Sequence, residues 1–151
     1  MYTHLLLPTD GSTLSSHAVD EGLALAKALG AKATILTVVE PFHAFNVSSE
    51  LLAEVRENYE KSSRDSAGKV LQAAADRADA LGVRAETVLA HGEHPDRQII
   101  EAATSAGCDL VMMASHGRRG VDALLLGSVT QKVLTHSSLP VLVLRPQGGS
   151  R

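Results

Sequence analysis

The chain has no tryptophan, one cysteine, and only two tyrosines and two phenylalanines in 151 residues. Aromatics at 3% argue against a platform of rings that stacks successive bases. The lone Cys108 excludes an internal disulfide and fits a reducing compartment. No sign of charge dominates, since 14 Lys and Arg stand against 17 Asp and Glu, a formal net of −3. Nucleic-acid recognition needs a basic face that this balance does not suggest. No apolar run approaches the ~20 residues that cross a bilayer. Met1-Tyr-Thr-His4 lacks the basic stretch of a secretory leader. The expectation is a cytoplasmic protein with neither membrane nor nucleic acid as partner. Two familiar phosphate motifs are missing as well. The sequence has neither the Gly-Lys-Ser/Thr of a P-loop nor the short dinucleotide glycine fingerprint.

What is present is a hydrophobic fraction of 44%, enough to build a core in one domain. Strand-like and helix-like runs alternate. His4 to Pro8 is a short apolar strand, followed by the turn and cap cluster Thr9-Asp10-Gly11-Ser12. Ser15 to Leu29 has helical spacing and meets Gly30, a good helix stop. Lys32 to Val39 is β-branched and reads as a buried strand. Glu40 to Asn46 reads as a loop, and Ser48 to Leu81 as a long helix with a charged, solvated face, supported by the Glu57–Lys61 spacing. Val83 to Ala90 alternates as a strand. Pro95 fits the first position of a helix ending at Ala106-Gly107. Asp109 to Met113 and Leu139 to Leu144 complete the strands, with a helix from Val129 to His136 between them. The pattern predicts an α/β fold: a doubly wound, five-stranded parallel sheet with helices on both faces and right-handed crossovers. Residues 1–146 form the predicted domain, and 147–151 a flexible tail.

In such a sheet, ligands sit beyond the carboxyl ends of the strands where the strand order reverses. Three loops qualify: Pro8 to Ser12, Val38 to Pro41, and Met113 to Ser128. The third is the most informative. Ala114-Ser-His-Gly117 is followed by nine residues and then Gly127-Ser-Val-Thr130. A strand ends, glycines let the backbone approach a ligand, and a helix start offers unpaired N–H groups to negative charge. Ser128 and Thr130 add hydroxyls where a phosphate would sit.

Each of these residues also has a plainer reading. Asp10 serves equally well as a turn former or helix cap. Ser128 and Thr130 serve as caps, and Met113 as core. His116 either donates to a phosphate or is a solvated loop histidine. Arg118 and Arg119 either meet phosphate oxygens or pair with acids such as Asp122. The loop that holds them is long enough to act as a lid. His91, Glu93 and His94 suggest a metal at first sight, but they crowd a tight turn before Pro95 with no further ligand in register. Cys108, opening a buried strand, reads as an inert core residue.

The opening strand with Pro-Thr-Asp-Gly-Ser12 and the closing block Ser-His-Gly117, nine residues, Gly-Ser128, with Pro140-Val-Leu-Val-Leu144 as last strand, resemble universal stress proteins. The resemblance spans essentially the whole chain. It implies the Rossmann-like, adenine nucleotide alpha hydrolase-like form of the sheet and a homodimer joined through Leu139 to Leu144. It also implies the ATP-binding branch of the family, whose motif is Gly, two residues, Gly, nine residues, Gly-Ser/Thr. Here the first glycine is Ala114. By position, Pro8, Thr9 and Asp10 would lie along the adenosine, with Asp10 near the ribose. Val38 would offer its backbone to the adenine edge. Met113 and Ala114 would approach the sugar and first phosphate. Gly117, Gly127, Ser128, Val129 and Thr130 would wrap the phosphates, with His116 and Arg118 beside them. The ligand implied is ATP, or AMP or ADP, with Mg²⁺ carried by the nucleotide and Asp10 a possible ligand to it; the protein alone holds no metal site. The expected role is a nucleotide-binding regulator of the stress response with slow or no hydrolysis, acting on an unidentified protein partner. The alternatives are a dimeric stress protein that binds no nucleotide, or a weak ATPase.

Overall fold

A computed structural model describes residues 1–42, 49–117 and 125–147. The elements run β1 (His4–Pro8), α1 (Thr13–Leu29), β2 (Lys32–Val39), α2 (Ser49–Leu81), β3 (Ala85–His91), α3 (Pro95–Ala106), β4 (Leu110–Ala114), α4 (Ser128–His136) and β5 (Val141–Leu144). All strand pairs are parallel, and the sheet order is β3-β2-β1-β4-β5. The predicted α/β architecture is therefore the one observed. Strand order reverses at β1, so β1 and β4 are spatial neighbours whose chains leave in opposite directions.

The two faces are separated by the period of two along each strand. Leu5 and Leu7 of β1 point to the α1/α2 side, where they join Val19, Leu23, Leu71 and Ala78. Leu6 points to the other side with Leu36, Ile99, Val111, Met113 and Val133. Leu5, Leu6 and Leu7 are fully buried, as expected for a strand covered on both faces. Cys108 is part of the second cluster, and burial pushes its thiol pKa up, which suits an inert core residue.

Helix ends fall where the glycines stand. Gly30 and Gly107 both take the left-handed conformation and return their N–H groups to carbonyls of the last turn. Ser12 caps α1 by accepting from the Ser15 N–H, so this helix starts two residues earlier than its apolar pattern suggests. Predicted strand starts at Val83 and Leu139 are also displaced. Val83 gives its N–H to the Ala78 carbonyl and ends α2 rather than opening β3. Pro140 has no N–H to enter a ladder, and β5 begins at Val141. Helix α2 divides in two: Ala67 is buried and Leu71, Ala74 and Ala78 join the core on the sheet, whereas Leu51, Val55 and Tyr59 are exposed. Its described ion pair joins Arg77 to Asp20 of α1. The predicted lid residues Arg118 and Arg119, with Asp122, and all but the first residue of the predicted tail lie outside the described residues.

Asp109 ties the start of β1 to β4. Its carboxylate accepts from the Thr3 N–H at 2.9 Å, the Thr3 hydroxyl at 3.0 Å and the His4 N–H at 3.0 Å. Desolvation opposes its charge, but these hydrogen bonds outweigh it and hold the carboxyl below its ordinary pKa. A depressed pKa contributes stability that is present above the unfolded value and lost as pH falls through the folded one. Because the Thr3 bonds are exposed, Asp109→Asn should cost only about 1–2 kcal/mol at pH 7. The gap between variant and wild type should narrow below about pH 4. Urea denaturation at pH 7 and pH 3 checks this; a gap independent of pH would contradict it.

Candidate functional site

Where the strand order reverses, the carboxyl ends of β1, β2 and β4 open into a cavity of about 530 Å³ on the α3/α4 side. Every site residue expected from the sequence and lying within the described part lines it. Pro8, Thr9 and Asp10 come from the end of β1, and Val38 from β2. Met113, Ala114, His116 and Gly117 come from β4 and the turn after it. Gly127, Ser128, Val129 and Thr130 form the start of α4.

The β1–α1 turn is rigid. Thr9 is buried, takes the Leu36 carbonyl with its N–H at 2.8 Å, and receives the Thr37 hydroxyl on its own carbonyl at 3.0 Å. Asp10 shapes the turn, as its plainer reading required: Oδ1 accepts from the Ser12 N–H at 2.9 Å and the Ser15 hydroxyl at 2.8 Å. Its Oδ2 stands so close to Gly117 that a Cβ there would lie 2.2 Å away. A side chain at 117 would have to displace the Asp10 carboxylate, which Ser12 and Ser15 hold in the turn. Asp10 is therefore a turn residue whose carboxylate also lies on the cavity wall.

The second loop is pinched at its neck. The Gly127 N–H donates to the Ser115 carbonyl at 2.7 Å, and a Cβ on Gly127 would press on the His116 Cα at 3.2 Å. His116 lines the cavity with Nδ1 3.2 Å from the Gly117 carbonyl oxygen. Ala114, the departure from the glycine motif, is the last residue of β4 and is extended. Its methyl occupies ordinary strand geometry, so the substitution carries no backbone strain.

Helix α4 then begins without a side-chain cap, because its N-cap is Gly127. The first intrahelical bond is from the Gln131 N–H to the Gly127 carbonyl. The N–H groups of Ser128, Val129 and Thr130 precede it and have no carbonyl within the helix. Ser128 is exposed toward the cavity mouth, with its hydroxyl available. Thr130 differs from the expectation of a hydroxyl donor: it is buried and its proton goes to the Ala114 carbonyl at 2.9 Å, locking α4 to β4. What Thr130 presents to the cavity is backbone.

The rest of the lining escaped the sequence reading. Leu36 and Ile99 join the expected Met113 in an apolar floor. Glu40, Glu93, His94 and Asp96 stand at the α3 end, and Lys132 at the α4 end. Among the described residues, no three His, Cys, Asp or Glu converge to hold a metal, and His94 and Glu93 are cavity rim. Asp96 carried no distinctive signal, since an acid in the first turn of a helix is commonplace. Its position follows from the β2–β3 register, which pairs Val39 with His91 and starts α3 beside the end of β2. A second cavity, about 400 Å³, opens at the other end of the sheet near Lys27, Lys32 and Arg84. It lies between the C-termini of α1 and α2, whose carbonyls repel anions. Among the described residues, no helix is long and apolar enough to cross a membrane.

The universal stress protein family model matches residues 1–145, and the chain belongs to that family. It is 34% identical to universal stress protein YxiE of Bacillus subtilis over 96% of this chain and all of that one. The solved structure of protein MJ0577, a universal stress protein of Methanocaldococcus jannaschii, superposes with a TM-score of 0.80 at 25% identity, covering 99% of both chains. A universal stress protein solved in complex with cAMP superposes with a TM-score of 0.71 at 27% identity, over 97% of this chain and 98% of that one.

Ser115 supplies a test of the loop neck. Its hydroxyl is fully buried and has no hydrogen-bond partner among the described residues. An unsatisfied buried hydroxyl costs about 1–3 kcal/mol. Ser115→Ala should thus be as stable as wild type or more stable by about 1 kcal/mol. Thermal unfolding reads the difference; clear destabilisation would show that the hydroxyl has a partner.

Proposed function

We propose that this universal stress protein binds an adenine nucleotide across the ends of β2, β1 and β4, with its phosphates on the start of α4. The observation that carries the reading is the uncapped α4 N-terminus, opening onto a cavity between two loops brought together at Gly117 and Gly127. Three successive N–H groups and the positive end of the helix dipole favour an anion there. The Ser128 hydroxyl lies at the same end, and Lys132 is the one Lys or Arg among the described lining residues. The acids Glu40, Glu93 and Asp96 line the opposite end. That gradient of charge orients a nucleotide, with phosphates toward α4 and base toward α3. Leu36, Val38, Ile99 and Met113 offer an apolar bed for a purine. Asp10 at the centre would meet the ribose hydroxyls, as short acids at strand ends do. The solved relative in complex with cAMP supports the same ligand class.

ATP is the favoured ligand, with ADP and AMP sharing the adenosine contacts, and any Mg²⁺ would arrive with the phosphates. Binding with slow or no hydrolysis suits the lining. Asp10 Oδ1 is already engaged by Ser12 and Ser15 within the turn, and in the proposed placement it would face the sugar rather than the last phosphate. Occupancy would then act as a signal to a protein partner in the cytoplasm. Gly127→Val must push on the His116 backbone and open the loop neck. Calorimetric titration with ATP should show at least a tenfold loss in this variant, roughly 1.4 kcal/mol. Affinity like that of wild type in a folded Gly127→Val protein would remove the site assignment.

The homodimer through Leu139 to Leu144 belongs to the same proposal. β5 is an edge strand, and Leu142 on it is 44% exposed. The other edge, β3, is guarded by exposed Glu86 and Thr87, as edges that must stay unpaired commonly are. Two-fold pairing of β5 with itself closes the assembly and covers Leu142. Val141 packs against the α3/α4 core, so a charge there would disturb the subunit itself. Leu142→Lys is the cleaner probe. Sedimentation equilibrium should give a dimer for wild type and a monomer for Leu142→Lys. A wild-type monomer at micromolar concentration would rule the interface out.

A further inference from the structure

Asp96 lies in the first turn of α3, directly after Pro95, and lines the cavity while only 8% exposed. Among the described residues it has no ion pair and no hydrogen-bond partner for its carboxylate. Its oxygens are not sealed off, since Ser115 Oγ is the one fully buried side-chain polar atom without a partner among the described residues, but a carboxylate so far withdrawn from water still gains from anything that offsets its charge. The positive end of α3 does so without consuming its lone pairs. The N–H groups of Arg97 and Gln98 that follow are both directed to the His94 carbonyl, at 3.0 and 3.2 Å. The result is a charge supported by a helix, with acceptor atoms facing the cavity.

The place of Asp96 fixes which part of a ligand it meets. Gly92 donates its N–H to the Val39 carbonyl at 3.1 Å, so α3 starts over the end of β2. Ile99, one turn after Asp96, lies on the apolar floor with Leu36. Phosphate is repelled by a carboxylate and belongs at α4. What remains for Asp96 is a donor on the base. We propose that Asp96 is a specificity-determining residue that accepts an N–H from the exocyclic amino group of adenine. This inference rests on the adenine-nucleotide reading above. It adds a side chain that reads the base edge, beside the backbone of Val38.

The test is a cycle that removes each partner in turn. Affinities of ATP and of purine riboside triphosphate, which lacks the amino group, are measured by calorimetry on wild type, Asp96→Ala and Asp96→Asn. Wild type should bind ATP at least tenfold more tightly than the analogue. That ratio should fall to within about threefold in Asp96→Ala, since the acceptor is gone. Asp96→Asn keeps an acceptor oxygen in the same volume and should retain an intermediate preference. Thermal unfolding without ligand confirms that each variant is folded, and removal of an unpaired buried charge should not lower the midpoint. An unchanged ratio in Asp96→Ala overturns the inference while leaving nucleotide binding intact. A wild-type preference for GTP over ATP that disappears in Asp96→Ala also overturns it, because the carboxylate would then read the N–H edge of guanine. Failure of wild type to bind any of these nucleotides overturns both this inference and the reading on which it rests.

Discussion

The structure depends on one topological constraint: right-handed crossovers send α1 and α4 to opposite faces of the sheet from neighbouring strands. From β1 the chain turns toward β2 on the α1/α2 side. From β4 it turns toward β5 on the α3/α4 side. Among the described residues, nothing regular fills the gap between the two departures. The loops that border it must therefore satisfy their own polar groups, and they do so with short side chains. Thr9, Asp10, Ser12 and Ser15 knit the first turn. The Gly127–Ser115 bond closes the neck of the second. Among the described residues, the Ser115 hydroxyl and the first N–H groups of α4 are not satisfied in this way, and Ser128, Val129 and Thr130 line the cavity.

That arrangement explains why the site is asymmetric. Helices α3 and α4 both begin at the cavity, and both bring a positive dipole end. At α3 the dipole is met by Asp96 in the same turn; at α4 the N-cap is a glycine and no acid stands in the first turn. One helix start therefore carries its own anion and the other does not. A ligand with an anionic end and an amine-bearing end fits this polarity in one direction.

Local chemistry was legible in the sequence wherever a residue acts through its own backbone. Gly30 and Gly107 mark helix ends because few other residues adopt the left-handed cap. Asp10-Gly-Ser12 marks a turn, and Gly127-Ser128 marks a helix start that leaves its N–H groups free. The alternating five strands and four helices followed from the same punctuation. Roles that depend on tertiary register were not legible. Asp96 resembles any acid at the start of a helix until the β2–β3 pairing brings α3 over the cavity. Thr130 resembles a ligand donor until the Ala114 carbonyl is seen to take its proton. The divided character of α2 was hidden too, because a charged face looks the same whether or not the opposite face meets a sheet.

The central claim is that the free N–H groups at the start of α4 hold the phosphates. Amide NMR of uniformly ¹⁵N-labelled protein titrated with ATP tests it most directly. The account predicts that the Ser128, Val129 and Thr130 amides show the largest downfield shifts, with Gly117 and Gly127 next, and that adenosine leaves the three α4 amides nearly unmoved. Shifts of similar size with adenosine, or shifts centred on the opposite end of the sheet around Lys27, Lys32 and Arg84, would contradict it.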